Sequence, residues 1–223
     1  MTTDILQLVH FDLSGMFPVK SLGEYLYYAI FVDDFSHKTW IYFLKKKDEV
    51  FTWFLYFKVF VENQVGKKIT IMRVDNGTEY ELNEFNDYFR EDGITRETNT
   101  TCIIEKNGVF ERKNHSIIES TLAMLHDQGL RKFLWGQAAN VVLYVENSCP
   151  HQELDSKTPE DVFMGKKLDV SHFIIFGIPV YFHVMKEKRR KFDASRKKGD
   201  FVGYSETSKA YGIYVPGQRD TDN

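Results

Sequence analysis

The order in which hydrophobic periodicity changes along the chain sets the tightest limit on its fold. Residues 6–12, 25–32 and 39–44 are short runs rich in Val, Ile, Tyr, Phe and Trp, separated by Ser-Leu-Gly and Asp-Asp-Phe-Ser punctuation. They read as an antiparallel three-strand meander. Apolar residues then return at Val50, Phe54, Phe57 and Val61, in steps of four, three and four, which is helical spacing closed by Gly66. A fourth, mostly apolar strand over 69–74 runs into Asp75-Asn-Gly77, followed by a helix over 83–92 and a short strand over 94–97. A meander followed by alternating helices and strands predicts an α/β fold, a mixed sheet with helices on its faces.

Residues 99–108 carry no periodicity and lead into a helix expected over 111–128, with Ile118, Leu122 and Leu125 as its apolar stripe and Gly129 as its stop. Two more helices are expected over 135–148 and 158–164. The second begins with Thr158 as N-cap, Pro159 in the first turn and Asp161 three residues on. From His172 the texture changes to short β-rich runs over 173–176, 180–184, 199–202 and 210–215, as in a small β-barrel. The expected division is a core over 1–165 and a small β-domain over 166–223.

At 223 residues, 43% apolar and 15% aromatic, the chain can bury a substantial core. No signal-peptide pattern opens it and no apolar run is long enough to cross a bilayer, so it reads as soluble and intracellular, with no membrane partner. Cys102 and Cys149 lie in unrelated contexts and read as ordinary thiols. The net charge of −3 conceals an asymmetry: residues 166–223 hold 12 Lys+Arg against 7 Asp+Glu, net +5, leaving −8 for residues 1–165. The basic material includes Lys188, Arg189, Arg190 and Lys191, then Arg196, Lys197 and Lys198. It reads as a phosphate-binding patch or as a solvated loop.

Among 32 acidic residues, Asp12, Asp75 and Glu111 stand out, with 35 residues between the last two. Asp12 and Asp75 fall at the ends of predicted strands, and Glu111 near the start of a predicted helix. If the first and fourth strands are neighbours, the carboxylates converge into a cage of oxygen ligands for hard divalent cations. Two Mg²⁺ ions roughly 3.5–4 Å apart activate an attacking hydroxyl and stabilise the leaving oxygen in displacement at phosphorus. Each residue also has a plain structural reading. Asp75-Asn-Gly is a turn signal, Asp12 a loop residue, and Glu111 a first-turn glutamate favoured by the helix dipole. Asp33-Asp34 reads as the hairpin between strands two and three, and His10 as structural. Asn107 and Gly108 before Glu111, with Arg112, Lys113 and Asn114 after it, are candidates to grip DNA, or form a solvated first helical turn.

The chain resembles the integrase segment of copia-type retrotransposon Pol polyproteins. The matching stretches include VHFDLSG, YYAIFVDDFSHKTWIYFLKKKDEVF, RVDNGTEY, NGVFERKN, KTPEDVFMGKKLDVSH and FVGYSETSKAYGIY. That resemblance implies a ribonuclease H-like catalytic core with its metal site at Asp12, Asp75 and Glu111, then a small Src-homology-like β-barrel over about 172–216. It further implies Mg²⁺- or Mn²⁺-dependent processing of element DNA ends and strand transfer into target DNA, by a homo-oligomer acting in the nucleus after synthesis in the cytoplasm. The zinc-binding module that precedes the core in the family is expected to be absent. The family usually places Thr or Ser before the first aspartate, where this chain has Phe11, and a small residue with Gly-Pro after it, where Ser14-Gly-Met16 follows. The loop before Glu111 reads Ile103-Ile-Glu-Lys-Asn-Gly-Val-Phe110, without the family's proline, and Val74 precedes the second aspartate. Two further readings remain: a decayed or host-adapted copy that only binds nucleic acid, and hydrolysis of RNA in a hybrid duplex.

Overall fold

The computed structural model describes the backbone of residues 2–74, 82–98, 104–167, 169–192, 194–205 and 210–217. Within these it describes all side chains except those of 82–84, 98, 104–111 and 188. Three strands, β1 (Leu8–Ser14), β2 (Tyr27–Asp33) and β3 (Thr39–Leu44), form the expected antiparallel meander. After helix α1 (Val50–Val65), strand β4 (Ile71–Val74) pairs parallel to β1. Helix α2 (Leu82–Asp92) then leads to β5 (Thr95–Thr98), parallel to β4, which completes a mixed sheet in the order β3-β2-β1-β4-β5.

Side-chain alternation divides the sheet into two faces. On one face Val9, Phe11, Ala29, Phe31, Met72 and Val74 pack against α1 and α2. All four stripe residues of α1 are buried there, with the Phe57 ring stacked on Phe31 at 4.1 Å. The helix ends where Gly66 turns left-handed at φ 68°, a conformation that glycine adopts without steric cost. On the other face Tyr28 and Ile30 meet helices α3 (Ile104–Asp127) and α4 (Trp135–Ser148). Helix α5 (Pro159–Met164) starts as its sequence predicts, with the Asp161 N–H donating to Thr158 Oγ1 at 3.0 Å.

Three expectations are corrected. Helix α3 begins at Ile104, seven residues before the expected start, so Glu111 lies in its third turn rather than near its N-terminus. With no proline to stop it, the helix propagates through Asn107 and Gly108 despite their weak propensities. Its buried stripe is Ile117, Thr121 and Leu125, whereas Leu122 is 51% exposed. The C-terminal segment is β-structured as expected, with a three-stranded antiparallel sheet among the described residues: β6 (Pro179–His183), β7 (Arg196–Tyr204) and β8 (Tyr211–Tyr214). Residues 173–176 are not a strand. They are held by Tyr204, whose hydroxyl accepts from the Ile174 N–H at 2.8 Å and donates to the Ile174 carbonyl at 3.0 Å.

The small sheet is not a detached appendage. Phe176 and Val202 are buried in one cluster with Leu125, Leu134 and Trp135, and Tyr204 stacks on Tyr144 of α4 at 4.5 Å.

Candidate active site

Asp12 sits on β1 opposite Ile30, on the sheet face covered by α3 and α4. Strand β4 ends at Val74 beside Phe11, the residue immediately before Asp12, so the adjacency of strands one and four that the sequence argument required is present. Asp75 lies outside the described residues. Glu111 is in α3, and its side chain is likewise outside those described.

One turn beyond Glu111 on α3, Asn114 reaches the sheet. Its amide nitrogen donates to Asp12 Oδ2 at 2.8 Å, and its carbonyl oxygen accepts from the Tyr28 hydroxyl. This side chain therefore ties the helix carrying Glu111 to the strand carrying Asp12. A neutral amide orients the carboxylate without neutralising it, and carboxylate oxygens suit hard divalent cations. Tyr28 is almost fully buried, and burial pushes its hydroxyl up to about 12. The Asp12 charge adds to that rise, and a Ser14 hydrogen bond opposes it. The tyrosine is thus a neutral donor across the physiological range.

The other predicted DNA-contacting residues divide by environment. Asn107 and Gly108 fall within α3, with side chains outside those described. Arg112 is exposed, while Lys113 pairs with Glu146 of α4. Arg190, Lys191, Arg196, Lys197 and Lys198 are exposed, and Arg189 is half-buried. The Lys188 backbone forms part of a short 3₁₀ turn over Lys186–Lys188. Arg196, Lys197 and Lys198 open β7 opposite His183, Phe182 and Tyr181 of β6, and Tyr181 is 72% exposed. This is a basic, partly aromatic ribbon.

The rival acidic pair is structural. Asp33 is buried and accepts from the Leu6 N–H at 2.7 Å, the Ser36 N–H at 2.8 Å and the Ser36 hydroxyl at 2.6 Å. Burial raises its pKa. His10 donates through Nε2 to Asp34 at 2.9 Å, and burial outweighs that carboxylate, holding the imidazole below its ordinary pKa. The roles of Tyr28 and Asn114 were missed in the sequence. Tyr28 reads as an ordinary strand aromatic, and only the crossing of α3 over β1 and β2 brings the two residues to Asp12.

Residues 5–101 match the family described as "Integrase core domain", and residues 178–221 match "Retroviral polymerase SH3-like domain". The chain is 37% identical over 213 residues to the retrovirus-related Pol polyprotein from transposon TNT 1-94 of Nicotiana tabacum, covering 96% of this chain and 16% of that protein. It is 34% identical to the transposon RE2 polyprotein of Arabidopsis thaliana, covering 87% of this chain and 13% of that protein. It therefore spans well under a fifth of these relatives' length. Among solved structures it resembles the HTLV-2 integrase catalytic core in complex with magnesium, at TM-score 0.51 and 20% identity, covering 72% of this chain and 97% of that one. It also resembles a simian T-cell lymphotropic virus intasome in complex with a PP2A regulatory subunit, at TM-score 0.57 and 15% identity over 96% of this chain and 81% of that one. The molecule is an integrase core of ribonuclease H-like fold followed by a retroviral SH3-like domain, with copia-type Pol polyproteins of plant transposons among its relatives.

Proposed function

We propose that this chain is a polynucleotidyl transferase that processes DNA 3′ ends and joins them to target DNA, with Asp12, Asp75 and Glu111 as its carboxylates. The observation that carries this reading is the Asn114 bridge, because it fixes the strand bearing Asp12 against the helix bearing Glu111. Two of the similar structures are described as the HTLV-2 integrase catalytic core in complex with magnesium, in trimeric and dimeric forms, and a third as an intasome. These support a divalent-metal enzyme acting as a homo-oligomer on DNA, two ions being the number that in-line displacement uses. Bound between the carboxylates, such ions would supply Lewis-acid stabilisation of charge at the reacting phosphate.

The chain's own groups position the reactants. Asn114 holds Asp12 in one orientation, and Tyr28 holds Asn114. Arg112 on α3, next to Glu111, and Arg196, Lys197 and Lys198 on β7, are suited to the phosphate backbone, which they would place without reading sequence. The exposed Tyr181 ring beside Lys198 offers a stacking surface for an unpaired base. Work on element and target DNA would place the protein in the nucleus after cytoplasmic synthesis. Residues 1–165 as catalytic core and 166–223 as nucleic-acid-binding domain remain the division of labour within this proposal.

The test is Mn²⁺ affinity measured alongside cleavage of a labelled duplex, comparing the wild-type chain with Asp75→Asn. Loss of both is expected. Unchanged affinity and cleavage would remove the assignment. DNA binding that persists without chemistry in the wild type would favour the alternative, a catalytically decayed or host-adapted fragment.

A further inference from the structure

We infer that His37, His151 and Glu153 form a second metal site, separate from the carboxylate site, that takes a borderline first-row divalent cation such as Zn²⁺. Their ligand atoms all lie within 4.8 Å of one another. His37 Nε2 and Glu153 Oε2 are 3.3 Å apart. Tetrahedral Zn²⁺ with bonds of about 2.0–2.1 Å separates its ligand atoms by about 3.3 Å, so this pair already has the required spacing. The His37 and His151 rings are stacked, 5.0 Å between centroids and 19° from parallel. His151 and Glu153 are both exposed, so side-chain rotation can close the wider gap. Two imidazoles and one carboxylate favour Zn²⁺ and its neighbours over Mg²⁺, and leave a fourth position for water.

The supporting loops hold these ligands in place from distant parts of the sequence. His37 lies in the β2–β3 hairpin, at φ 58°, a left-handed conformation uncommon for a residue with a side chain. Asp33 pins that hairpin through Leu6 and Ser36, as described above. The second loop follows α4 and closes on itself: the His151 N–H donates to the Lys157 carbonyl at 2.9 Å, and the His151 carbonyl accepts from Leu154 at 3.1 Å and Ser156 at 3.2 Å. Left-handed Asp155 and Ser156, at φ 52° and 62°, shape its turn. Two clips join the loops. The Thr39 N–H and carbonyl bond both ends of the Asn147 amide, at 2.9 and 2.8 Å, and the buried Lys38 ammonium pairs with Glu160 at 2.8 Å. A cation here would cross-link the hairpin at the sheet edge to the loop after α4.

The test titrates the full chain, free of any histidine tag, with Zn²⁺ in the presence of saturating Mg²⁺, by calorimetry and thermal melting. Co²⁺ absorption serves as the reporter of tetrahedral imidazole ligation. One tight site per chain is expected, with a rise in melting temperature. His37→Asn, chosen because asparagine tolerates the left-handed backbone, and His151→Ala, at an exposed position, should each weaken it about tenfold or more. Glu153→Gln should weaken it as well. Absence of a one-to-one site, or a site unaffected by His151→Ala and His37→Asn, overturns the inference. Binding lost only on Asp12→Asn also overturns it, by assigning the ion to the carboxylates. Should His37→Asn not fold, His151→Ala and Glu153→Gln decide.

Discussion

Replacing Asn114 with alanine removes two hydrogen bonds from the junction between α3 and the sheet. The bond to Asp12 has a charged acceptor, a class contributing about 1.5–3 kcal/mol, and the bond from Tyr28 joins neutral partners, contributing about 1 kcal/mol. Asn114 is half-buried, so solvent recovers part of this, and the expected net loss is about 2 kcal/mol. For a chain of this length that lowers the melting temperature by about 4–8 °C. Tyr28→Phe leaves the ring packed and deletes only the hydroxyl. It should cost less on its own, and in the double variant its cost should largely disappear, because its partner is already gone. Chemical denaturation of the four proteins measures the coupling, which should exceed about 0.5 kcal/mol. Strict additivity would refute the bridge, and with it the argument that Asn114 orients Asp12. Mn²⁺ affinity should fall in Asn114→Ala as the Asp12 carboxylate loses its fixed orientation.

Deleting residues 166–223 should lower the unfolding free energy by at least about 3 kcal/mol, since Phe176 and Val202 leave the cluster around Trp135 and each buried apolar side chain contributes about 1.5–3 kcal/mol; equal stability of the shortened chain in urea would contradict this packing. Neutralising Arg196, Lys197 and Lys198 together should weaken DNA binding uniformly across sequences and flatten its dependence on salt. For each phosphate that is no longer neutralised, the slope of log affinity against log salt becomes shallower by about 0.9, and an unchanged slope would place DNA elsewhere. Burial raises Tyr28 from its ordinary value of 10 to about 12, so its contribution to stability is fully present below pH 10 and is lost as pH rises toward 12. Stability measured across that interval should fall less steeply in Tyr28→Phe than in the wild-type chain.

Local periodicity made most of the architecture legible. The Val50, Phe54, Phe57 and Val61 spacing predicts α1, and Gly66 ends it because few other residues adopt its positive φ at so little cost. The Thr158-Pro159 start of α5 is equally local. The start of α3 was not legible, because Asn107-Gly108 is a breaker signal that a helix anchored further along at Ile117 and Leu125 overrides. Its exposed Leu122 shows how a stripe written in steps of four and three can be rotated by one residue when Ile117 and Ile118 both qualify. In the candidate site, Asp12 could be singled out because it ends an apolar run, and the neighbouring strand β4 follows from the fold class. Tyr28 and Asn114 are separated by 86 residues, and His37 and Glu153 by still more. Pairings of that kind depend on how helices cross the sheet, which no local spacing encodes.

On the proposed function, Asp12, Asp75 and Glu111 act as one metal-dependent site on DNA. Mg²⁺-dependent nicking and strand transfer on a labelled duplex, compared between the wild-type chain and Glu111→Gln, tests it most directly. Products are expected from the wild-type chain and none from the variant, with DNA binding retained in both. Equal activity in the two, or DNA binding with no chemistry in either, would contradict it.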